Sequence, residues 1–188
     1  MVKGFSLVTL ALCAVIACSD ESSGADANID SGDEISLTVP TNSDFINAGW
    51  REDCLAKINE FRATENLPPY TLAAEEKQTC ADKQSADDLK SGKAHGHFGD
   101  CGEFAQNSGP NFSASSLKNA TAVSDYYLKM MWDEKKLVES GEADLNSKDD
   151  FPKIGHYKNM QSRSYTKVAC GISLSADGKK GWFNVDFF

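Results

Sequence analysis

The sequence predicts one mixed α+β domain in which helices come first and an antiparallel β-hairpin comes last. Its 188 residues, 40% hydrophobic and 25% charged, fit a single compact domain of ordinary globular composition. Residues 47–66 and 119–140 repeat apolar side chains at helical spacing, whereas the chain after residue 165 is rich in β-forming residues. We therefore expect the hairpin to close a domain whose other elements are mainly helical.

Residues 1–17 are typical of a lipoprotein signal peptide. Lys3 precedes an apolar run that ends at Ala17 and is shorter than the ~20 residues that a membrane span needs. The cysteine that follows, Cys18, resembles the acylated cysteine of the bacterial lipobox. We predict that Cys18 is lipidated and becomes the mature N-terminus, with a membrane as partner; an ordinary secretory signal cut nearby is the alternative.

Residues 18–46 are predicted to be an acidic flexible tether. Ser, Asp, Gly and Ala dominate this stretch, so it cannot bury enough apolar surface to fold. It holds seven acidic and no basic residues, which leaves the domain at 47–188 with 21 acidic and 18 basic residues, a charge of -3. No basic stripe is present, so the sequence excludes nucleic acid as a partner.

The first predicted helix covers residues 47–66 and ends before Pro68-Pro69. The apolar residues of its buried face stand at offsets of 4, 8 and 11: Trp50, Cys54, Ile58 and Phe61. A second, more polar helix is predicted from Thr71, as N-cap, to Leu89, with a stop at Ser91-Gly92.

The third predicted helix runs from Asn119, a cap residue, to Ser140, and Gly141 is its stop signal. One face carries Val123, Tyr127, Met130 and Leu137. Glu134 falls on that apolar face, where a buried carboxylate requires a partner. The closing hairpin is predicted from residues 165–174 and 182–188, joined through the turn signal Asp177-Gly178.

Four cysteines remain after Cys13 leaves with the signal peptide and Cys18 is lipidated: Cys54, Cys80, Cys101 and Cys170. An even number in a secreted chain predicts two disulfides, and the absence of Cys-x-x-Cys spacing disfavours zinc ligation by thiolates or a catalytic thiol. Three pairings are possible and the sequence alone does not choose among them. We favour 54 with 80, on neighbouring predicted helices, and 101 with 170, which flank the candidate histidine site.

The three histidines lie in two short segments that resemble a known family. Cys101-Gly102-Glu103 follows His95 and His97 and resembles a Gly-Glu-Asn signature, whereas Gly155-His156-Tyr157 resembles a Gly-His-Tyr motif. The segment 131–134 resembles a helix motif in which tryptophan precedes glutamate by three. In this order, the motifs resemble those of CAP domains, the family of cysteine-rich secretory proteins, antigen 5 and pathogenesis-related proteins, and the resemblance covers residues 47–188.

The resemblance implies an α-β-α sandwich with a short antiparallel sheet between helical layers. It also implies a cleft lined by His95, Glu103, Glu134 and His156, with His97 as a competitor of His95. Two imidazoles and two carboxylates suit zinc or another divalent ion, although the same four groups can form a purely structural polar cluster. Two departures from the family pattern are Phe104, where asparagine is expected, and Met131, where tryptophan is expected.

The resemblance implies an extracytoplasmic binding module, lipid-anchored in a bacterial envelope or secreted, for a lipid, glycan or peptide. A metal-dependent or His/Glu-based hydrolase is one alternative, in which a carboxylate acts as general base on a polarised water. No Gly-x-Ser-x-Gly or His-Glu-x-x-His segment supports it, and we assign no catalytic residue. A structural interaction protein of the envelope is the other alternative.

Overall fold

The protein is described by a computed structural model that covers residues 42–188. The predicted signal peptide, the lipidation site Cys18 and most of the predicted tether lie outside the described residues. The helices are α1 Asn42–Phe45, α2 Trp50–Ala63, α3 Glu75–Ser91, α4 Ala120–Asp133, α5 Lys135–Glu139 and α6 Phe151–Gln161. The strands are β1 Thr71–Leu72, β2 Ala105–Ser113, β3 Lys167–Leu174 and β4 Lys180–Phe187.

One four-stranded sheet, in the order β1-β3-β4-β2, separates two helical layers. Helix α3 packs on one face of the sheet, and α2, α4 and α6 pack on the other. The α-β-α sandwich is therefore confirmed. The sheet is mixed rather than wholly antiparallel, because the short β1 pairs in parallel with β3, whereas β3, β4 and β2 are antiparallel.

One predicted helix boundary was wrong because tertiary pairing overrides the local capping signal. Thr71, expected to cap the second helix, is a strand residue aligned with Lys167, and α3 begins at Glu75. The domain also begins before position 47: Phe45, assigned to the tether, is buried and stacks on Phe112. Burial of the Phe45 ring is favourable, but the polar residues next to it in the sequence gave no indication of it.

The first and third predicted helices are present as α2 and α4, with α5 continuing after a break at Glu134. The side chain of Asn119 caps α4 by accepting a hydrogen bond from the backbone N–H of Ala122 at 2.8 Å. Met131 is fully buried, whereas the predicted Met130 is exposed. The apolar face is therefore rotated by one residue at this point of the helix.

The closing hairpin is confirmed as β3 and β4, joined by a turn in which Gly178 has a positive φ of 66°. Strand β2 and helix α6 were not predicted. The β2 sequence contains Asn-Ser-Gly-Pro-Asn, which is typical of a turn. It nevertheless pairs with β4, with an irregular register between Gly109 and Phe112.

The disulfides join Cys54 to Cys170 and Cys80 to Cys101. The four predicted cysteines thus form two bonds, but the favoured pairing was wrong. Cys54 lies on α2 and Cys80 on α3, and the sheet stands between these helices, so the two side chains cannot meet. Cys170 on β3 points towards α2, and Cys80 points towards the segment that follows α3.

Within the described residues, no helix is both long and apolar enough to cross a membrane.

Candidate functional site

A cavity of about 500 Å³ lies between the start of β2, helix α6 and the histidine loop, the name used here for residues 93–104. Its volume is in the range of small-molecule sites. The lining residues are His95, Phe98, Phe104, Ala105, Gln106, Phe151, Pro152, Gly155, His156, Asn159 and Tyr165. Both histidines that the family resemblance implies therefore face the same cavity.

His156 is placed by α6 and oriented by a carboxylate on the end of α4. Its Nδ1 lies 2.5 Å from Glu134 Oε1, and Glu134 Oε2 accepts the backbone N–H of Tyr157 at 3.1 Å. A carboxylate only accepts, so His156 Nδ1 carries the proton and its Nε2 is left for the cavity. The partner that the apolar position of Glu134 demanded is thus His156.

His95 lies on the histidine loop with a positive φ of 57°. Its Nδ1 lies 3.0 Å from Gln106 Oε1 on β2. His97, its competitor in the sequence, does not line the cavity; its Nδ1 lies 2.8 Å from Asp88 Oδ1 on α3. His95 is therefore the histidine of this loop that a cavity ligand can reach.

Glu103 is placed differently from the other predicted ligands. It is 6% exposed, and its carboxylate accepts the backbone N–H groups of Gly99, at 2.6 Å, and Cys101, at 3.0 Å. Gln84 Nε2 donates a third hydrogen bond at 2.7 Å. These contacts close the histidine loop on itself, so Glu103 stabilises the loop that presents His95.

The four implied ligands do not form a single cluster. Within residues 42–188, the one group of three candidate donor atoms lying within 4.8 Å of one another is Cys101, Glu103 and Asp186. The sulfur of Cys101 is bonded to Cys80, so that group offers two carboxylates and no thiolate. The two cavity imidazoles, each with its Nδ1 hydrogen-bonded, are nitrogen donors, and they fit a zinc-like ion better than these two carboxylates do.

A polar layer lies behind the histidine loop, between α3 and the sheet, and sequence reasoning missed it. We define it as Gln84, Asp88, Gln106, Asn184 and Asp186, all buried. Burial, with the nearby carboxylates of Glu103 and Asp88, raises the pKa of Asp186 to about 8. The hydrogen bond from Gln106 acts in the opposite direction and lowers this pKa. The signal was the pair Asn184 and Asp186, alternating with apolar residues in a strand whose residues after Lys180 are all buried.

Phenylalanines form the mouth of the cavity, and these too were missed. Phe104 is 73% exposed, Phe98 49% and Phe151 47%. Only five large apolar side chains among the described residues are exposed, and three of them line this one cavity. Such a concentration of exposed apolar surface marks a binding site more often than a plain surface.

Comparison with solved structures shows similarity to three proteins, at identities that support the fold alone. The crystal structure of Na-ASP-1 has a TM-score of 0.51 at 20% identity and covers 73% of this chain, which spans only 38% of that chain. A crystal structure of NaASP2 with Zn²⁺ has a TM-score of 0.56 at 17% identity, covering 79% of this chain and 82% of the other. The structure of BmVAL-1 has a TM-score of 0.50 at 17% identity, covering 75% and 78%.

A comparison with curated protein sequences gave no significant match. The model of the CAP family, described as the cysteine-rich secretory protein family, matches residues 55–187, which include every element from α3 to β4. Because this match spans well over half of the sequence, the chain belongs to the cysteine-rich secretory protein, or CAP, family.

Proposed function

We propose that the protein is an extracytoplasmic binding module whose ligand occupies the cavity between the histidine loop and α6. One observation carries this proposal: two imidazoles and three exposed phenylalanines converge on one cavity of ligand size. The phenylalanines favour a ligand with an apolar part, such as a lipid or a peptide side chain. The imidazoles supply the polar contacts that fix its orientation.

We propose further that His95 and His156 hold a divalent ion of the zinc type, with solvent or the ligand completing its coordination. The Nδ1 atom of each ring is engaged by an oxygen of Gln106 or Glu134, as in the outer shells that orient metal-bound histidines. The structure of NaASP2 with Zn²⁺ is consistent with metal binding in this fold. A zinc-like ion would act as an electron-pair acceptor for a polar group of the ligand.

Two disulfides indicate an oxidising, extracytoplasmic compartment. We propose that the chain is lipid-anchored through Cys18 in a bacterial cell envelope, on the evidence of the sequence before residue 19. Glu134 and Glu103 are committed to His156 and to the loop backbone, which makes neither a free general base for hydrolysis. Binding is therefore the function that we favour over catalysis.

The proposal is tested by titrating zinc into the purified chain with its disulfides intact and measuring heat. We expect one ion per chain, and we expect His95→Ala and His156→Ala each to abolish stoichiometric binding, because two nitrogen donors cannot be replaced by one. His97→Gln is the matched control, since it removes a histidine of the same loop that lies outside the cavity.

Absence of zinc binding in the parent chain contradicts the metal proposal. Equal loss in the His97→Gln variant would assign the effect to the loop as a whole rather than to the two cavity rings. Binding of the apolar part is measured separately, by whether Phe104→Ser weakens uptake of a fluorescent fatty acid while zinc binding is retained.

A further inference from the structure

We propose that Gln106, held in place by Gln84, fixes His95 in the tautomer with its proton on Nδ1, so that the cavity presents only hydrogen-bond acceptors from its two imidazoles and from Asn159. Such a cavity selects a ligand with a cationic or hydrogen-bond-donating head group over one with a carboxylate. The selectivity rests on the proposed binding function. The state of the His95 ring can be measured without any ligand.

The orientation of the Gln84 amide is fixed by two hydrogen-bond acceptors. Its Nε2 lies 2.7 Å from Glu103 Oε1 and 2.8 Å from the carbonyl oxygen of His97. A carboxylate and a carbonyl can only accept, so the amide nitrogen must face them. The Oε1 atom of Gln84 therefore points the other way, towards Gln106, and can only accept from it.

The orientation of Gln84 determines that of Gln106. Its Nε2 donates to Gln84 Oε1 and to Asp186 Oδ1, each at 3.0 Å. Asp186 Oδ1 accepts this bond whether its carboxyl group is ionised or neutral, provided that any proton sits on the other oxygen. Both Gln side chains are at most 5% exposed, so neither can turn over without burying unpaired polar atoms.

The orientation of Gln106 in turn determines the tautomer of His95 in the cavity. With its nitrogen engaged in the polar layer, Gln106 offers Oε1 to His95 Nδ1 at 3.0 Å, and the neutral ring must donate there. Its Nε2 then carries a lone pair, makes no hydrogen bond within residues 42–188 and lies on the side of the ring away from Gln106. The loop histidine thus matches His156, whose Nδ1 proton is fixed by Glu134.

Asn159 is oriented by a parallel chain of contacts. Asn107 Nδ2 donates to the carbonyl oxygen of His156 at 3.1 Å, so Asn107 Oδ1 accepts from Asn159 Nδ2 at 3.0 Å. The Oδ1 atom of Asn159 accepts no bond from the described part of the chain. With both imidazoles neutral, Tyr165 is the one side chain of the lining that still has a free polar hydrogen.

The lining of the cavity contains no charged side chain other than a histidine that gains a proton. The rings of Phe98 and Phe104 are available to a cation, whereas Lys158 Nζ already lies 6.0 Å from the centre of the Phe151 ring. A protonated amine on an apolar body, or a metal ion, satisfies three acceptors at once. A carboxylate would meet three lone pairs instead.

The test is a long-range ¹H–¹⁵N spectrum of the full chain at a pH about two units above the ordinary histidine pKa of ~6.5. We expect His95 with a protonated Nδ1 and an unprotonated Nε2. His156, oriented by a carboxylate, is the control in the same spectrum. A His95 ring with its proton on Nε2 overturns the inference whether or not any ligand binds.

Two variants sharpen the test. Gln106→Leu removes the acceptor and Gln84→Met releases Gln106, and each is expected to shift His95 towards the Nε2–H form while His156 is unchanged. Gln161→Leu, at the C-terminal end of α6, is the matched control and is expected to change neither ring. Retention of the Nδ1–H form in both polar-layer variants contradicts the role of Gln106.

Selectivity is measured on the metal-free chain, because a bound zinc ion would occupy the imidazole lone pairs. The probes are benzylamine and benzoate, which share a ring and differ in the head group. We expect the amine to bind at least about tenfold more tightly, the equivalent of one hydrogen bond. Preferential binding of benzoate overturns the inferred preference for hydrogen-bond-donating head groups. Binding of neither probe, with His95 in the expected tautomer, counts against the proposed function but leaves the role of Gln106 established.

Discussion

The two faces of the sheet are built from different chemistry. The face towards α2, α4 and α6 carries large apolar residues, with Phe183, Val185 and Phe187 on β4 all fully buried. On the same strand, Asn184 and Asp186 point to the other face, towards α3, where the apolar cluster consists of three alanines with Phe188 packed against them. Trp182 alternates onto this face as well, and its indole N–H donates to Ser108 Oγ at 2.8 Å. One strand thus supports an apolar core on one side and a polar layer on the other.

The two faces of the sheet therefore have different roles: one stabilises the domain and the other supports the candidate site. The apolar face stabilises the domain through burial, at roughly 25 cal/mol per Å² of apolar surface. The face towards α3 instead holds the histidine loop, through contacts that run from Asp88 and Gln84 to the loop backbone and side chains. The hydrogen bonds inside this layer orient its members more strictly than apolar packing does. They leave two buried oxygens of the layer, Asn184 Oδ1 and Asp186 Oδ2, without a hydrogen-bond partner among the described residues.

The largest effect is expected from Gly171→Ala. A Cβ atom at this position would stand 2.2 Å from the backbone of Ala81 on α3, and the backbone cannot retreat as a flexible side chain can. We expect a loss of about 3 kcal/mol or more of unfolding free energy, at the upper end of overpacking effects. Urea denaturation followed by circular dichroism measures it.

Val185→Ala is the comparison on the apolar face. It removes two methyl groups, whereas Gly171→Ala adds one. We expect a smaller loss of about 2 kcal/mol. If Gly171→Ala costs less than Val185→Ala, the close approach of α3 to the sheet is not as the structure has it.

The next effect is a pH dependence that arises from Asp186. Its pKa of about 8 lies above the ~3.9 of an unfolded aspartate, so the folded state holds a proton that the unfolded state releases. The stabilisation is complete below about pH 4 and is lost as the pH rises to about 8, on the order of a few kcal/mol in all. Asp186→Asn removes this dependence, so the variant should gain stability relative to the parent as the pH increases.

Unfolding free energies of both chains at pH 5 and pH 8 check this prediction. Asp177→Asn is the control: its carboxylate is exposed, and bonds from Ser175 and the backbone of Lys179 lower its pKa, so any dependence has the opposite sign. A difference between parent and Asp186→Asn that does not grow with pH would contradict the raised pKa.

Most of the fold could be predicted from the sequence where local pattern and burial agree. The stripes in α2 and α4 and the turn between β3 and β4 give their elements directly. Strand β2 could not be predicted, because its Gly109 and Pro110 are typical of a turn and only pairing with β4 makes them a strand. The disulfide pairing failed for a related reason, since it depends on the sheet that separates α2 from α3.

The site could be predicted in part. The family motifs indicate the two cavity histidines, and the apolar position of Glu134 indicates a buried partner. The contacts of Glu103 with its own loop, and the relay from Gln84 to His95, join residues that are distant in sequence. No spacing rule relates them, because the sheet and α3 create the proximity.

The smallest predicted effect separates the two ways in which the histidines are held. Glu134→Gln keeps the size of the side chain that orients His156 but removes its charge, so the ring loses a charge-assisted bond. If zinc binds as proposed, we expect its affinity to fall about 10- to 100-fold, as for other outer-shell partners of metal-bound histidines. Calorimetric titration measures the change, and Glu139→Gln, an exposed glutamate on α5, is the control.

Gln106→Leu should weaken zinc binding less than Glu134→Gln, because an amide polarises His95 less than a carboxylate polarises His156. The reverse order would show that the polar layer, rather than the helical side of the cavity, dominates the site.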